Sequence, residues 1–155
     1  MIFGGFLLKQ TFELAFCCAA SFAHTRPTFV SLDPSTFQNP VPVGSVLYLT
    51  ATVIYTDPPL VPAESDGKPA EGRPENSQTR IQVRVDSKVR DVEHGIAKPT
   101  GQFNYTFTVD KDIKVMPRTY SEFMMYVDAR RRAKSVQESI KHGEIDKGSQ
   151  DRVTE

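Results

Sequence analysis

The sequence has no excess of either charge: 19 lysines and arginines meet 19 aspartates and glutamates over 155 residues. A balance of this kind sets up no long-range attraction to nucleic acid or to an anionic membrane. Cysteine is scarce, with two residues only, Cys17 and Cys18, side by side. Neighbours on a helix point in different directions, so the pair cannot form a disulfide framework and suits a reducing compartment. No cysteines or histidines stand at metal-ligand spacing. No apolar run approaches ~18 residues without interruption, so no membrane span is expected. There are no internal repeats.

What the chain does have is an apolar first stretch, Ile2 to Ala23, opening on Gly4-Gly5 and interrupted only by Lys9, Gln10, Thr11 and Glu13 before Ser21. It reads as a helix that is apolar nearly all round, which must be covered on three or more sides; a sheet curled around it would do so. A helix starting at two glycines leaves its first N–H groups free and bare of side chains, open to an oxygen carrying negative charge. That is the chemistry of an oxyanion hole. The competing reading is a secretory signal peptide, because Ser21-Phe22-Ala23 resembles a small-x-small cleavage site. Against it, no basic region precedes the run, and Lys9, Gln10 and Glu13 fall where such a peptide is most apolar.

Arg26-Pro27 stops the helix, since a residue before proline is pushed toward extended geometry. Thr28 to Leu32 reads as a short buried strand, followed by a turn at Asp33-Pro34-Ser35 and a proline-broken segment from Phe37 to Gly44. Ser45 to Thr56 is the longest strand candidate, with Leu47, Leu49, Ala51, Val53 and Tyr55 on one face, and is expected at the centre of the sheet. Residues 58–79 carry Pro58, Pro59, Pro62, Pro69 and Pro74 among Gly, Glu and Ser, and read as a solvated loop. Arg80 to Arg90 alternates cleanly, Ile81, Val83, Val85 and Val89 inward, and Phe103 to Val109 repeats the pattern; the two predict an antiparallel hairpin. Thr119-Tyr120-Ser121-Glu122 is a capping box that starts a short terminal helix, and 133–155 reads as a polar tail.

A central apolar helix followed by about four antiparallel strands and a terminal helix is the order of an α+β hot-dog fold. Two stretches make the resemblance specific: Ile2-Phe3-Gly4-Gly5-Phe6-Leu7 with Glu13-Leu14-Ala15, and Arg26-Pro27 through Phe37-Gln38-Asn39-Pro40-Val41-Pro42-Val43-Gly44-Ser45. These resemble the second hot-dog domain of type 9 acyl-coenzyme A thioesterases, and Met116-Pro117-Arg118-Thr119-Tyr120 through Tyr126-Val127-Asp128 is similar to that group's C-terminal segment. The resemblance covers about residues 2–132, with 58–79 as an insertion, so 1–132 is expected to be one hot-dog domain.

The resemblance implies hydrolysis of fatty acyl-CoA to free acid and CoA, with no cofactor beyond the coenzyme A of the substrate. It also implies a second hot-dog domain or a homo-oligomeric partner, and a mitochondrial location, with a cytoplasmic one as the alternative. Relatives begin with a strand and a loop, commonly carrying an asparagine near the reaction centre, ahead of the Gly-Gly helix. Met1 stands roughly there, so the expectation is a sheet without its first strand. Many relatives carry the acidic base one residue before Glu13, at the place of Phe12.

The candidate catalytic residues are therefore Gly4 and Gly5, as oxyanion donors or merely a close-packed helix start, and Glu13. The apolar neighbours of Glu13 would raise its pKa and let it activate water, or it snorkels to the sheet edge. Arg130, Arg131 and Arg132 are candidates for the CoA phosphates, or a solvated basic turn. His24 reads as a polar cap on the helix end, Asp33 as an Asx-type turn, and Cys17 and Cys18 as small core residues. Two function classes stand side by side: a thioesterase, and a non-catalytic hot-dog half that only associates with a partner.

Overall fold

The computed structural model describes residues 1–35, 37–57, 78–91 and 95–150. They fall into two compact units, Met1–Met116 and Pro117–Glu155, each described here by itself. The first unit packs helix α1 (Gly4–Ala23) on an antiparallel sheet of β1 (Thr28–Leu32), β2 (Val46–Asp57), β3 (Thr79–Arg90) and β4 (Ala97–Val109). The strand order is β1-β4-β3-β2.

Beyond its two opening glycines, helix α1 contains no proline and a single β-branched residue, Thr11, so little in its sequence opposes a helix. It ends at His24, whose left-handed backbone (φ 52°) turns the chain toward Arg26-Pro27. Its buried residues are Leu7, Thr11, Ala15, Ala19 and Ala23, a row at intervals of four that forms a single face. Below Leu7 this row is built of small side chains, which brings the helix backbone close to Ile81, Val83, Val85, Phe103, Tyr105 and Phe107 of the sheet. Leu8, Phe12, Leu14, Phe16, Cys18 and Phe22 flank the row, half-buried. Coverage on three sides, as the sequence suggested, is not what the sheet provides: it takes one face, and Phe6 stays 51% exposed. By length and composition α1 would also suffice to cross a membrane, yet here its small-residue row lies on the sheet.

The strands β3 and β4 form the expected hairpin and the centre of the sheet, with Ile81 opposite Phe107, Val83 opposite Tyr105 and Val85 opposite Phe103. Strict alternation along β3, Thr79 included, puts every second side chain into the core. Thr79, assigned from sequence to the proline-rich loop, is thus the buried first residue of the strand; residues 58–77 lie outside the described residues. The long strand β2 is not central. It pairs with β3 alone and lies at one edge, leaving Val46 and Tyr48 more than 40% exposed. A bulge at Ile54 inserts one extra residue, so Val53 faces inward opposite Val83 while Tyr55, opposite Gln82, moves to the other face. At the opposite edge β1 is exposed rather than buried, with Phe29 46% and Val30 47% accessible.

Side-chain hydrogen bonds secure α1 at Thr11 and at its C-terminal end. Thr11 Oγ1 and Tyr105 Oη lie 2.7 Å apart, buried, and Thr11 also donates to Leu7 O at 2.9 Å. Burial pushes the Tyr105 hydroxyl up, and the Thr11 bond offsets part of that. At the far end Lys111 Nζ donates to Ala23 O at 3.2 Å, so the helix terminus is capped by a residue beyond β4 rather than by His24.

In the second unit, α2 (Tyr120–Gln150) opens on the capping box foreseen from sequence: Thr119 Oγ1 accepts from Glu122 N at 3.2 Å, and Glu122 Oε2 accepts from Thr119 N at 3.2 Å and Arg118 N at 2.8 Å. The helix does not stop near 132. From Ala133 the chain has good helix formers and no proline, so helical geometry continues to Gln150 although the apolar stripe fades.

Two outcomes follow from this packing. Ala19→Leu forces a branched side chain into the helix–sheet contact and lowers stability by about 1–3 kcal/mol. Cys17→Leu on the open side changes it by less than about 0.5 kcal/mol; equal shifts in urea midpoint would remove the small-residue row as the determinant. The second concerns pH. Backbone donors at Arg118 and Thr119 hold the Glu122 carboxyl below the usual range, so the cap contributes fully above the unfolded carboxylate pKa, about 4.3, and is lost as pH falls through the lowered folded value. The Arg118 and Thr119 amide resonances should therefore titrate with a midpoint below that of an ordinary glutamate. A midpoint at or above the ordinary value would contradict the cap.

Candidate active site

The N-terminus of α1 has no side-chain cap and no acidic residue in its first turn, and Phe3 at the N-cap is extended (φ −68°, ψ 135°). The first amides of a helix have no intrahelical partner, so those of the glycine pair keep their hydrogen-bonding capacity for a ligand. An aromatic ring stands beside each of the two glycines. A Cβ on Gly4 would come within 3.1 Å of the Phe37 ring, and one on Gly5 within 2.6 Å of the Phe3 ring. Phe37 is held in turn by an edge contact with Phe103 (ring centroids 5.7 Å apart) and by a bridge to Gly101. The segment after it stays against the same end of the sheet: Gln38 N donates to Thr100 O and Ile2 N to Val41 O, both at 2.8 Å. Leu7, Val41 and Val89 close a small second core beneath.

Glu13 stands on a different part of the helix. It is 55% exposed, 4.0 Å from Lys9 across one turn, so the desolvation expected from its apolar sequence neighbours does not occur. Nine residues separate it from Gly4, which places it about 13 Å along the axis. That far exceeds the ~3 Å reach of a catalytic hydrogen bond. Glycine amides and Glu13 of one chain therefore do not meet at one reacting atom.

Glu13 lines an open groove of ≈ 570 Å³ between α1 and β1, shared with Phe12, Phe16, Cys17, Arg26 and Phe29. Cys17 is exposed there and not a core residue; Cys18 is half-buried, and burial pushes its thiol up. Sequence reading missed Arg26 and Phe29 as neighbours of Glu13. The cation beside Pro27 was the available signal, but the pairing of β1 with β4, which sets that edge beside the helix, was not.

The three arginines lie on α2 rather than in a turn. Successive helical residues point about 100° apart, so Arg130, Arg131 and Arg132 fan out instead of forming one cluster, and Arg132 is paired with Asp128 at 3.5 Å. Asp33 continues the β1–β4 ladder through its N–H to Asn104 O at 3.0 Å, while its own carbonyl accepts from Ser35 Oγ at 3.0 Å. Among the described residues, no three His, Cys, Asp or Glu side chains converge as metal ligands.

No protein-family model matches the chain. Among proteins of known name, it is 36% identical over 136 residues to acyl-coenzyme A thioesterase 9, mitochondrial, of Mus musculus, covering 87% of this chain and 26% of that one. It is 37% identical over the same length to the Bos taurus protein of that name. A more distant relative, acyl-coenzyme A thioesterase 2, chloroplastic, of Humulus lupulus, is 34% identical over 119 residues, which are 77% of this chain and 24% of that one. Among solved structures, an acyl-CoA hydrolase from Bacillus cereus superposes with a TM-score of 0.70 at 19% identity, over 96% of this chain and 81% of that one. A mutant acyl-CoA hydrolase from Staphylococcus aureus gives 0.70 at 20% identity, over 92% and 80%. The fold is that of the hot-dog thioesterases. The chain spans about a quarter of the length of the mammalian relatives it matches, and by sequence and fold it belongs with the hot-dog acyl-coenzyme A thioesterases of the type 9 group.

Proposed function

We propose that the chain serves as one hot-dog half of an acyl-CoA thioesterase, hydrolysing fatty acyl-CoA to free acid and coenzyme A. The observation that supports this most is the match to type 9 thioesterases over 87% of the chain, beside which stands the uncapped Gly-Gly helix start of this structure. Water attacks the thioester carbonyl carbon, and negative charge collects on its oxygen. The Gly4 and Gly5 N–H groups, with the positive end of the α1 dipole behind them, stabilise that oxyanion. The tetrahedral intermediate collapses, the C–S bond breaks, and coenzyme A leaves as a thiolate that takes up a proton.

A carboxylate must take the proton from the attacking water, and Glu13 is the candidate on this chain. Because about 13 Å of helix separates it from its own glycine amides, Glu13 serves the amides of a facing half, a second hot-dog domain or a second copy, and receives the same service in return. The reading calls for no cofactor beyond the coenzyme A of the substrate. Arg130, Arg131 and Arg132 would meet CoA phosphates as separate charges, given their spread around α2. A mitochondrial setting is supported by the mitochondrial names of the mammalian relatives.

The test is thiol release from medium- and long-chain acyl-CoA, run in a Cys17→Ser background because the exposed Cys17 thiol would itself react with the reagent. Glu13→Gln should lower turnover by about 10²-fold or more. Gly5→Ala displaces the exposed Phe3 ring and sets a methyl beside the oxyanion amides; turnover should fall by about 10²-fold while thermal stability holds. Parent-level activity in both variants would overturn the assignment, and a parent chain that binds a second hot-dog domain without any hydrolysis would favour the association-only reading.

A further inference from the structure

Helix α2, taken by itself, carries an apolar row that stays uncovered. Tyr120, Phe123, Met124 and Val127 follow the spacing i, i+3, i+4, i+7, which sets side chains on one helical face, and they are between 38% and 79% exposed. On the other side of the helix Met125 and Tyr126 are half-buried and Ala129 is fully buried. The row runs on into Arg131 and Lys134, both exposed, and among the described residues neither has an ion-pair partner. The acids of the same turns are engaged elsewhere: Glu122 Oε2 holds the cap amides and Asp128 pairs with Arg132. From Tyr120 to Lys134 the row thus extends about 21 Å with no carboxylate on it, and Glu138 is the first to follow.

Single exposed apolar side chains are ordinary, but a contiguous row of them marks a contact surface. Two features decide what it contacts. A stable protein interface takes about 20–30 residues from each side, and four apolar residues on two helical turns fall far short. A second copy of the chain would also bring the same cations to the contact, with no carboxylate on the row to receive them. A lipid surface supplies both halves without any matching shape: its acyl boundary takes apolar side chains and its anionic headgroups take cations. The stems of Arg131 and Lys134 are long enough to lie along that boundary while their charges stay at the phosphates.

We infer that α2 docks this face on an anionic lipid bilayer, Tyr120, Phe123, Met124 and Val127 entering at the boundary of headgroups and acyl chains and Arg131 and Lys134 resting on the lipid phosphates. The helix lies on the surface and does not cross it. Because the charges of the whole chain balance, the attraction is local to this row and acts only within about 8 Å at physiological salt. Lipid contact takes Arg131 from the coenzyme A phosphates and leaves Arg130 and Arg132 for them. The docking itself does not depend on the thioesterase reading.

The experiment is sedimentation of the full chain with vesicles of phosphatidylcholine alone and of phosphatidylcholine with about one third phosphatidylglycerol. It compares the parent with Phe123→Ser/Met124→Ser, with Arg131→Gln/Lys134→Gln, and with Lys88→Gln/Arg90→Gln, which removes the same charge from β3. All these positions are exposed, and far-UV circular dichroism checks that each variant folds as the parent does. The parent should favour the anionic vesicles by about 10-fold or more, and each α2 variant should lose about 10-fold of that partitioning while the β3 variant keeps it. The chain has no tryptophan, so a Tyr120→Trp variant reports on the row directly: its emission should move to the blue on anionic vesicles. No binding, equal binding to both vesicles, no blue shift, or a loss in the β3 variant equal to that in the α2 variants overturns the docking. A parent that ignores vesicles but self-associates in sedimentation velocity, with the association lost in Phe123→Ser/Met124→Ser, also overturns it and gives the face to a second copy.

Discussion

How closely α1 approaches the sheet decides the rest of this structure. Thr11, Ala15, Ala19 and Ala23 present so little side chain that the helix backbone lies almost on the inner residues of β3 and β4. The buried hydroxyl pair of Thr11 and Tyr105 fixes the helix along its axis. A hydrogen bond between two buried hydroxyls adds modestly to stability, but leaving either one unpaired costs more, so the pair specifies one register for the helix. With that register set, the first turn emerges at the end of the sheet where Phe37, Val41 and Val89 wait. The glycines therefore serve packing and chemistry together: the Phe37 ring lies close against Gly4, and the absence of side chains leaves room for an approaching oxyanion.

Much of this was legible in the residues themselves. The alternation in β3 and β4 was unambiguous because both strands are central, with one face in the core. The capping box at Thr119 and Glu122 is a local signal and needs no tertiary information. The place of β2 was not legible, for an apolar, β-branched strand suits the edge or the centre equally until its neighbours are known. The bulge at Ile54, which turns Tyr55 to the other face, has no local signature in Val53-Ile54-Tyr55. Burial of α1 was overestimated for a related reason: a helix apolar all round demands cover, but the sequence does not say whether its own sheet provides it.

The candidate site was half legible. Gly4-Gly5 announced the helix start and Glu13 the only acid on α1, yet spacing along the helix, and not sequence pattern, shows that the two cannot act on one atom. The groove of Phe12, Arg26 and Phe29 depends on where β1 comes to lie beside α1. Such placements come from strand pairing, which no single stretch encodes.

The bonds that secure α1 also set a schedule for its birth. Thr11 waits for Tyr105, 94 residues later, and Ala23 for Lys111, 88 residues later. At the ordinary pace of protein synthesis, 5–20 residues per second, that is about 5–20 s during which an apolar helix is outside the ribosome with no sheet to lie on. Loop closure over such distances is slow compared with forming a helix. The segment that organises the native domain is thus the one most exposed to wrong partners while the chain is being made, and a chaperone able to hold an apolar helix would find its target in the first two dozen residues.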